Sequence, residues 1–413
     1  MTDEYRDNDL VHTDGLFKKR RKPRLTFAWT LPKDDRATLF WTPVLAGNAY
    51  NKFMLGAAFY NSLVFEKKWQ YMLMPLYSFK QQNLNGSFSL FRNFYGKGKL
   101  QRVSVGIEGR KYNYALYEYA DQYGKDYNLE FWKLAPQIIF DFKPRRPNLT
   151  SVYKQLRFRM VHVERDGIKW LMRYDYGSGS FKYYPEDRKY VYNIFQLTYS
   201  NENRRVLNPY SYKTDFQFDA DFARITAELN YRFSYGPGKA GGFDIRVFGG
   251  YLHKTSKYEG FSPNLRMAGT DGRNDYMYDG IFVGRTNFNG LWKQQMIVSD
   301  GGFYIPTFLG QSSTWLTSVN LRASVPRFSL IRAYFNIGFD QRGYNGPGET
   351  LWEAGFILSI IDRKFEVYFP ALWSQNIQDV FDISGSNSYG EKIRFTMRLE
   401  LANPMKILKD IHI

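Results

Sequence analysis

The chain has 413 residues, no cysteine and a formal net charge of +17, with aromatic residues at 19% and charged residues at 23%. The missing cysteines exclude disulfides, thiolate metal sites and cysteine nucleophiles. The basic excess would suit a nucleic-acid binder, but outside Lys18–Lys22 the cations stand singly among apolar residues, which argues against nucleic acid and favours lipid phosphates as their counterpart.

Residues 1–23 read as a polar leader or linker ending in that basic run, with no basic segment followed by an apolar core. An export signal is therefore expected upstream of Met1. No stretch approaches the ~18 apolar residues of a membrane helix. From residue 24 onward the pattern changes to alternation. In "NAYNKFMLGAAFYNSL" (48–63), Phe53, Leu55, Ala57 and Phe59 share one face, and Met54, Gly56, Ala58 and Tyr60 the other. Asn48–Asn51 and Asn61–Ser62 bracket the run as turns. Gly56 and Ala58 keep the second face small enough for a neighbour to approach closely. Further on, Leu156, Phe158 and Met160 oppose Arg157 and Arg159. Ile225, Ala227, Leu229, Tyr231 and Phe233 oppose Arg224, Thr226, Glu228, Asn230 and Arg232. Val319, Leu321 and Ala323 alternate with Asn320 and Arg322; Phe335, Ile337 and Phe339 with Tyr334 and Asn336. The closing run sets Phe395, Met397, Leu399 and Leu401 against Arg394, Thr396, Arg398 and Glu400.

Such period-two alternation gives each strand one apolar and one polar face. Candidate strands begin near 24, 37, 51, 69, 85, 100, 130, 154, 168, 189, 210, 222, 242, 312, 331, 350, 364 and 390. Turn chemistry separates them at 95–99, 143–148, 164–167 ("ERDG"), 235–242, 342–349 and 385–391. Allowing for interrupted elements, the expectation is all-β, about 16 strands in a range of 14–18. Helical periodicity longer than two turns is not found. Residues 253–311 break the rhythm and read as a long surface loop or a plug insert in the lumen.

Many segments run to ten residues or more, the length of a tilted bilayer crossing. Their polar faces carry charge through the strand centres, and aromatics such as Trp29, Phe40, Trp41, Tyr190, Tyr192, Phe195 and Tyr199 sit near strand ends as interface girdles would. Residues 24–413 are therefore expected to form a single transmembrane antiparallel β-barrel domain in the outer membrane of a Gram-negative bacterium. Lipid-facing positions are Phe53, Leu55, Ala57, Phe59, Ile225, Leu229, Tyr231, Phe233, Phe335, Ile337, Phe395, Met397 and Leu399. Lumen-facing positions are Arg224, Glu228, Arg232, Arg322, Arg394, Arg398 and Glu400.

Catalytic patterns are lacking. The four histidines, His12, His162, His253 and His412, form no His-Glu-x-x-His and no i, i+4 pair. Asp271, Asp275 and Asp279 are spaced by four and do not match a calcium loop. His162, alternating with Met160, reads as structural. No cofactor or metal is expected. A Ser-His lipid-modifying barrel enzyme is the remaining enzymatic alternative.

Two stretches, "TLFWTPVLAGNAYNKFMLGAAFYNSL" (38–63) and "YGEKIRFTMRLELANPMKILKDIHI" (389–413), resemble the C-terminal region of certain large Gram-negative proteins. In those, a gluzincin-type metallopeptidase similar to membrane alanyl aminopeptidases precedes an outer-membrane barrel domain. The resemblance spans roughly residues 24–413. It implies a non-catalytic barrel that anchors or accompanies a peptidase domain encoded upstream, with peptides as candidate cargo. The family's catalytic His-Glu-x-x-His and downstream Glu have no counterpart here, so no site residue carries over. An autonomous outer-membrane pore or transporter is the first alternative, and a soluble all-β binding protein the second.

Overall fold

A computed structural model describes residues 24–27, 37–61, 67–96, 98–117, 126–144, 152–177, 179–235, 241–255, 261–325, 328–341, 348–385 and 388–398. The leader 1–23 lies outside the described residues. The strands run β1 Arg24–Phe27, β2 Thr38–Asn48, β3 Lys52–Tyr60, β4 Trp69–Ser78, β5 Asn83–Tyr95, β6 Leu100–Tyr117 and β7 Tyr127–Phe142. They continue as β8 Val152–Asp175, β9 Ser180–Asn203, β10 Tyr210–Phe218, β11 Phe222–Ser234 and β12 Gly242–Lys254. Two short strands, β13 Leu265–Arg266 and β14 Gln311–Ser312, pair with each other inside the insert. The main sheet resumes with β15 Trp315–Val325, β16 Phe328–Gln341, β17 Gly348–Ile361, β18 Phe365–Trp373 and β19 Arg394–Met397.

The main sheet has 17 strands. Setting aside β1, a four-residue strand lying parallel to β2, leaves sixteen described strands in one antiparallel meander. Alternation is what forms them. On β11 the odd residues Ile225, Leu229 and Phe233 are exposed, while Arg224 on the other face is buried. Leu45, Leu73, Phe158, Phe195 and Phe356 are likewise exposed on the same outward surface. So broad an apolar exterior marks a membrane-facing surface.

The sheet curves into a barrel around residues 261–313. This segment touches the first hairpin, where Ala49 N donates to Val283 O at 2.7 Å. It also touches the last strand, where Met296 N donates to Phe395 O at 2.8 Å. Between these it contacts β7, β8, β11, β12 and β17 through side chains described below. A sheet that meets one compact segment from its first turn to its last strand must wrap it. The architecture is that of an outer-membrane β-barrel.

Three local features differ from the sequence reading. The stretch at 164–167 is no turn: it lies inside the 24-residue β8, paired with Val191–Arg188 of β9, so the candidate strands at 154 and 168 are one. Gly167 makes room there for the Tyr190 ring, which a Cβ would meet at 2.2 Å. Tyr192 points inward, its ring tilted against Phe261 and its hydroxyl donating to the Tyr276 carbonyl at 2.6 Å, and is no girdle residue. The segment between β18 and β19 holds a ten-residue helix, α1 Gln375–Ser384, which buries Ile377 and Phe381, and a short helix, α2 Tyr389–Lys392.

The β8–β9 hairpin outgrows its neighbours. Pairing of β7 with β8 ends at Arg165, and pairing of β10 with β9 begins at Phe195. Asp166–Asp175 and its partner strand then have ladder partners only in each other, a reach of about 30 Å at the usual rise per residue, although Asp166 still accepts from Glu130 N at 3.1 Å and Ile168 packs on the core. On the outward face a polar band follows the apolar belt: His162 bonds Asn193 at 2.8 Å, and Lys189 pairs with Glu164 at 3.0 Å. Beyond it Trp170, Met172, Tyr174, Phe181 and Tyr183 are exposed again.

Candidate functional site

Charged side chains from many strands converge in the interior. On the β7–β8 wall, Lys133 and Arg159 are nearly inaccessible, with 1% and 3% of their side chains exposed. Both bind Asp279 of the insert. Arg159 does so bidentately, through Nη1 at 2.8 Å and Nη2 at 2.6 Å, while the Lys133 ammonium closes on the same carboxylate. Asp279 is aimed by Asp275, whose carboxylate accepts the backbone N–H of Asp279 at 3.1 Å and of Gly280 at 2.7 Å. Arg285 holds Asp275 at 3.0 Å and caps the Gly280 carbonyl at 2.7 Å. Desolvation would raise the Asp279 carboxyl, but the Arg159 guanidinium and the Lys133 ammonium outweigh it and hold the group well below the usual carboxylate range.

Two further anchors lie around the wall. Asp300, in left-handed backbone conformation with φ 47°, accepts from Arg224 of β11 at 2.5 Å, and its carbonyl accepts from Arg246 of β12 at 2.7 Å. Arg246 also binds Glu228 at 2.7 Å, so insert and wall share one network. On β17 the fully buried Glu353 accepts backbone N–H groups of Tyr304 at 2.6 Å and Ile305 at 2.8 Å, plus the Asn336 amide at 2.6 Å. Tyr304 stacks on Tyr368 with ring centroids 4.0 Å apart. Burial pushes the Tyr276 phenol up to about 12, against the opposing pull of Arg224, and it remains a donor to Gln217 at 2.5 Å.

Several candidate positions meet in this interior. Arg224, Glu228 and Arg322 join its ion pairs, Arg322 binding Glu366 at 2.5 Å, and Arg232 faces Asp244 at 3.5 Å. Arg398 lines a cavity of about 140 Å³ with Arg322 and Glu366, and Arg394 is buried at the opposite rim. Glu400 and Leu399 lie outside the described residues. On the exterior, Phe53, Leu55, Ile225, Leu229, Tyr231, Phe233 and Phe335 are exposed, and Ala57, Phe59, Ile337 and Met397 are partly so. Phe395 departs from this set: it is buried, with Trp292 of the insert edge-on at 6.4 Å. The insert covers β19 on its outer edge, which the alternation of β19 alone does not reveal.

Sequence reasoning missed Lys133, Arg159 and Glu353 as the wall's anchors. A cation or carboxylate in mid-strand was the available signal, but their partners lie far off in sequence. The carboxylates singled out as a series are each taken by a cation: Asp271 by Arg273, Asp275 by Arg285, Asp279 by Lys133 and Arg159. Among the described residues no three His, Asp or Glu side chains are placed to hold a metal.

No family model matches the sequence, and no curated protein matches it. Among solved structures, BamA from Haemophilus ducreyi lacking POTRA domains 1–3 is similar at 9% identity, TM-score 0.40, covering 81% of this chain and 66% of that one. CdiB from Escherichia coli is similar at 9% identity, TM-score 0.42, covering 84% and 61%. CdiB from Acinetobacter baumannii is similar at 10% identity, TM-score 0.37, covering 82% and 57%. The chain thus spans less than two thirds of the length of each.

Proposed function

We propose that this chain is a Gram-negative outer-membrane β-barrel whose lumen is closed at rest by residues 261–313, so that passage requires the insert to move. The anchoring of Asp279 between Lys133 and Arg159 carries this reading. Buried cations on a barrel wall are costly unless paired, and here the closest pairing group is supplied by the insert, with Glu108 of β6 farther from Arg159 at 3.8 Å. A sixteen-stranded wall is wide enough to leave an aqueous channel if nothing fills it. In planar bilayers the refolded protein should show no steady porin-like conductance, and weakening the Asp279 anchor should produce transient openings. Steady conductance from the unaltered chain would favour an autonomous pore instead. A chain that stays native and monomeric without detergent would refute the membrane assignment.

The finer reading is that the barrel serves a metallopeptidase-type domain, with peptides as cargo, and is not itself catalytic. Its support is the resemblance of residues 38–63 and 389–413. A tagged barrel isolated from cell envelopes should bring down a zinc-dependent aminopeptidase activity, while the refolded chain alone releases no product from aminoacyl p-nitroanilides. Activity from the chain alone would overturn the non-catalytic assignment.

A further inference from the structure

At the rim that also carries the Asn48–Lys52 turn and the β8–β9 tip, the insert, α1 and α2 enclose a cavity of about 480 Å³. That volume falls in the range of small-molecule sites. Four cations line it, Arg266, Arg273, Lys293 and Arg394, against two carboxylates, Asp271 and Glu391. Both carboxylates are already engaged. Arg273 grips Asp271 through Nε at 3.2 Å and Nη2 at 2.7 Å, and the backbone N–H groups of Arg273 and Asn274 add to it. Lys293 pairs with Glu391 at 3.4 Å.

Two guanidinium groups remain. Arg394 is 4% exposed and lines the cavity. Arg266 is held in place through its backbone, N–H to Asp300 at 3.2 Å and carbonyl to Gly301 at 3.0 Å. Neither guanidinium forms an ion pair among the described residues; the carboxylate whose charge each feels most is Asp271, which is already gripped by Arg273. Two largely buried guanidiniums sharing one carboxylate already held by a third leave an excess of positive charge that an incoming oxyanion would relieve. The opposite walls are apolar: Phe308, Leu309 and Phe381.

We infer that this rim cavity binds a small organic oxyanion, a phosphate or carboxylate, whose charged end meets Arg394 and Arg266 and whose apolar body lies against Phe308 and Phe381. The site shares no residue with the Asp279 anchor, and it is complete only while the insert is docked.

The test uses the full chain refolded in lipid nanodiscs and equilibrium dialysis with phenyl phosphate, benzoate, and benzylamine as a cationic control. One equivalent of phenyl phosphate or benzoate should bind saturably, and benzylamine should not. The tighter of the two anions assigns phosphate or carboxylate. Arg394→Gln should weaken binding at least tenfold, with the folded state checked by heat-modifiable gel mobility. Val380→Trp, a change on α1 that fills the cavity without altering charge, should abolish binding even if Arg394→Gln fails to fold. No saturable binding by the unaltered chain, or binding unchanged in Val380→Trp, would overturn the assignment.

Discussion

Replacing Asp279 by Asn tests whether the insert is held by charge. The substitution keeps the shape of the side chain but leaves Lys133 and Arg159 facing a neutral amide, with 1% and 3% of their side chains exposed. Removing one partner of a fully buried ion pair costs about 3–5 kcal/mol. Asp279 itself keeps 38% of its side chain open to a crevice, so solvent screens part of the interaction. Discounted accordingly, the loss is about 2–3 kcal/mol, roughly a 30- to 150-fold shift from docked toward released insert at 1.4 kcal/mol per tenfold. Hydrogen exchange read by mass spectrometry on the refolded protein resolves this directly. Amides in 265–312 should exchange faster by that factor, while those in β4–β5 and β16–β17 stay protected. Equal acceleration in strands and insert would mean the substitution merely loosens the whole barrel. No change in the insert would show that the anchor contributes nothing to docking.

Other expectations follow from the same geometry. Because the folded Asp279 carboxyl lies well below its ordinary value, its contribution is complete above the unfolded value near 4 and is lost only as pH falls through the folded one; insert protection should persist at pH 5 and fall in stronger acid, and loss between pH 5 and 7 would contradict it. Gly56→Val places a Cβ where the Pro75 carbonyl oxygen lies 1.9 Å away, so β3 and β4 must part at a cost on the order of 3 kcal/mol; an unchanged heat-modifiable band would refute the close approach. Ala57→Arg, one residue on and on the opposite face, should destabilise membrane assembly by about 2–4 kcal/mol near mid-bilayer, and full tolerance would reverse the facing of β3. Excising 170–185 should leave the transition temperature of the barrel nearly unchanged, because among the described strands its ladder is formed within the β8–β9 hairpin itself; a large drop would place it in the barrel's own stability.

How much of this was legible depended on the range of each interaction. Ile225, Leu229 and Phe233 announce their face because a period of two needs only their immediate neighbours. The turn-like "ERDG" misleads because Gly167 answers to Tyr190 across the hairpin, not to a bend in its own strand. Phe395 misleads for a similar reason: its cover, Trp292, arrives from a segment about a hundred residues earlier. Asp279 reads as one of three evenly spaced acids, and only the fold reveals that its partners come from two strands well before it. The helix α1 escapes notice because ten residues with two buried apolar positions give little periodicity to detect.

The insert occupies a particular place in the chain: it follows β12 and precedes β15, joining the long first run of wall strands to the closing ones. An unfinished wall in lipid carries an unpaired edge, which is costly. Met296 N already meets Phe395 O on the outer edge of β19, and Ala49 N meets Val283 O at the opposite end of the ribbon. One segment therefore touches both margins that must be brought together. A chain lacking 265–312 should accordingly reach its heat-resistant form more slowly in refolding assays, and unaltered refolding kinetics would show that these contacts do not help to bring the margins together.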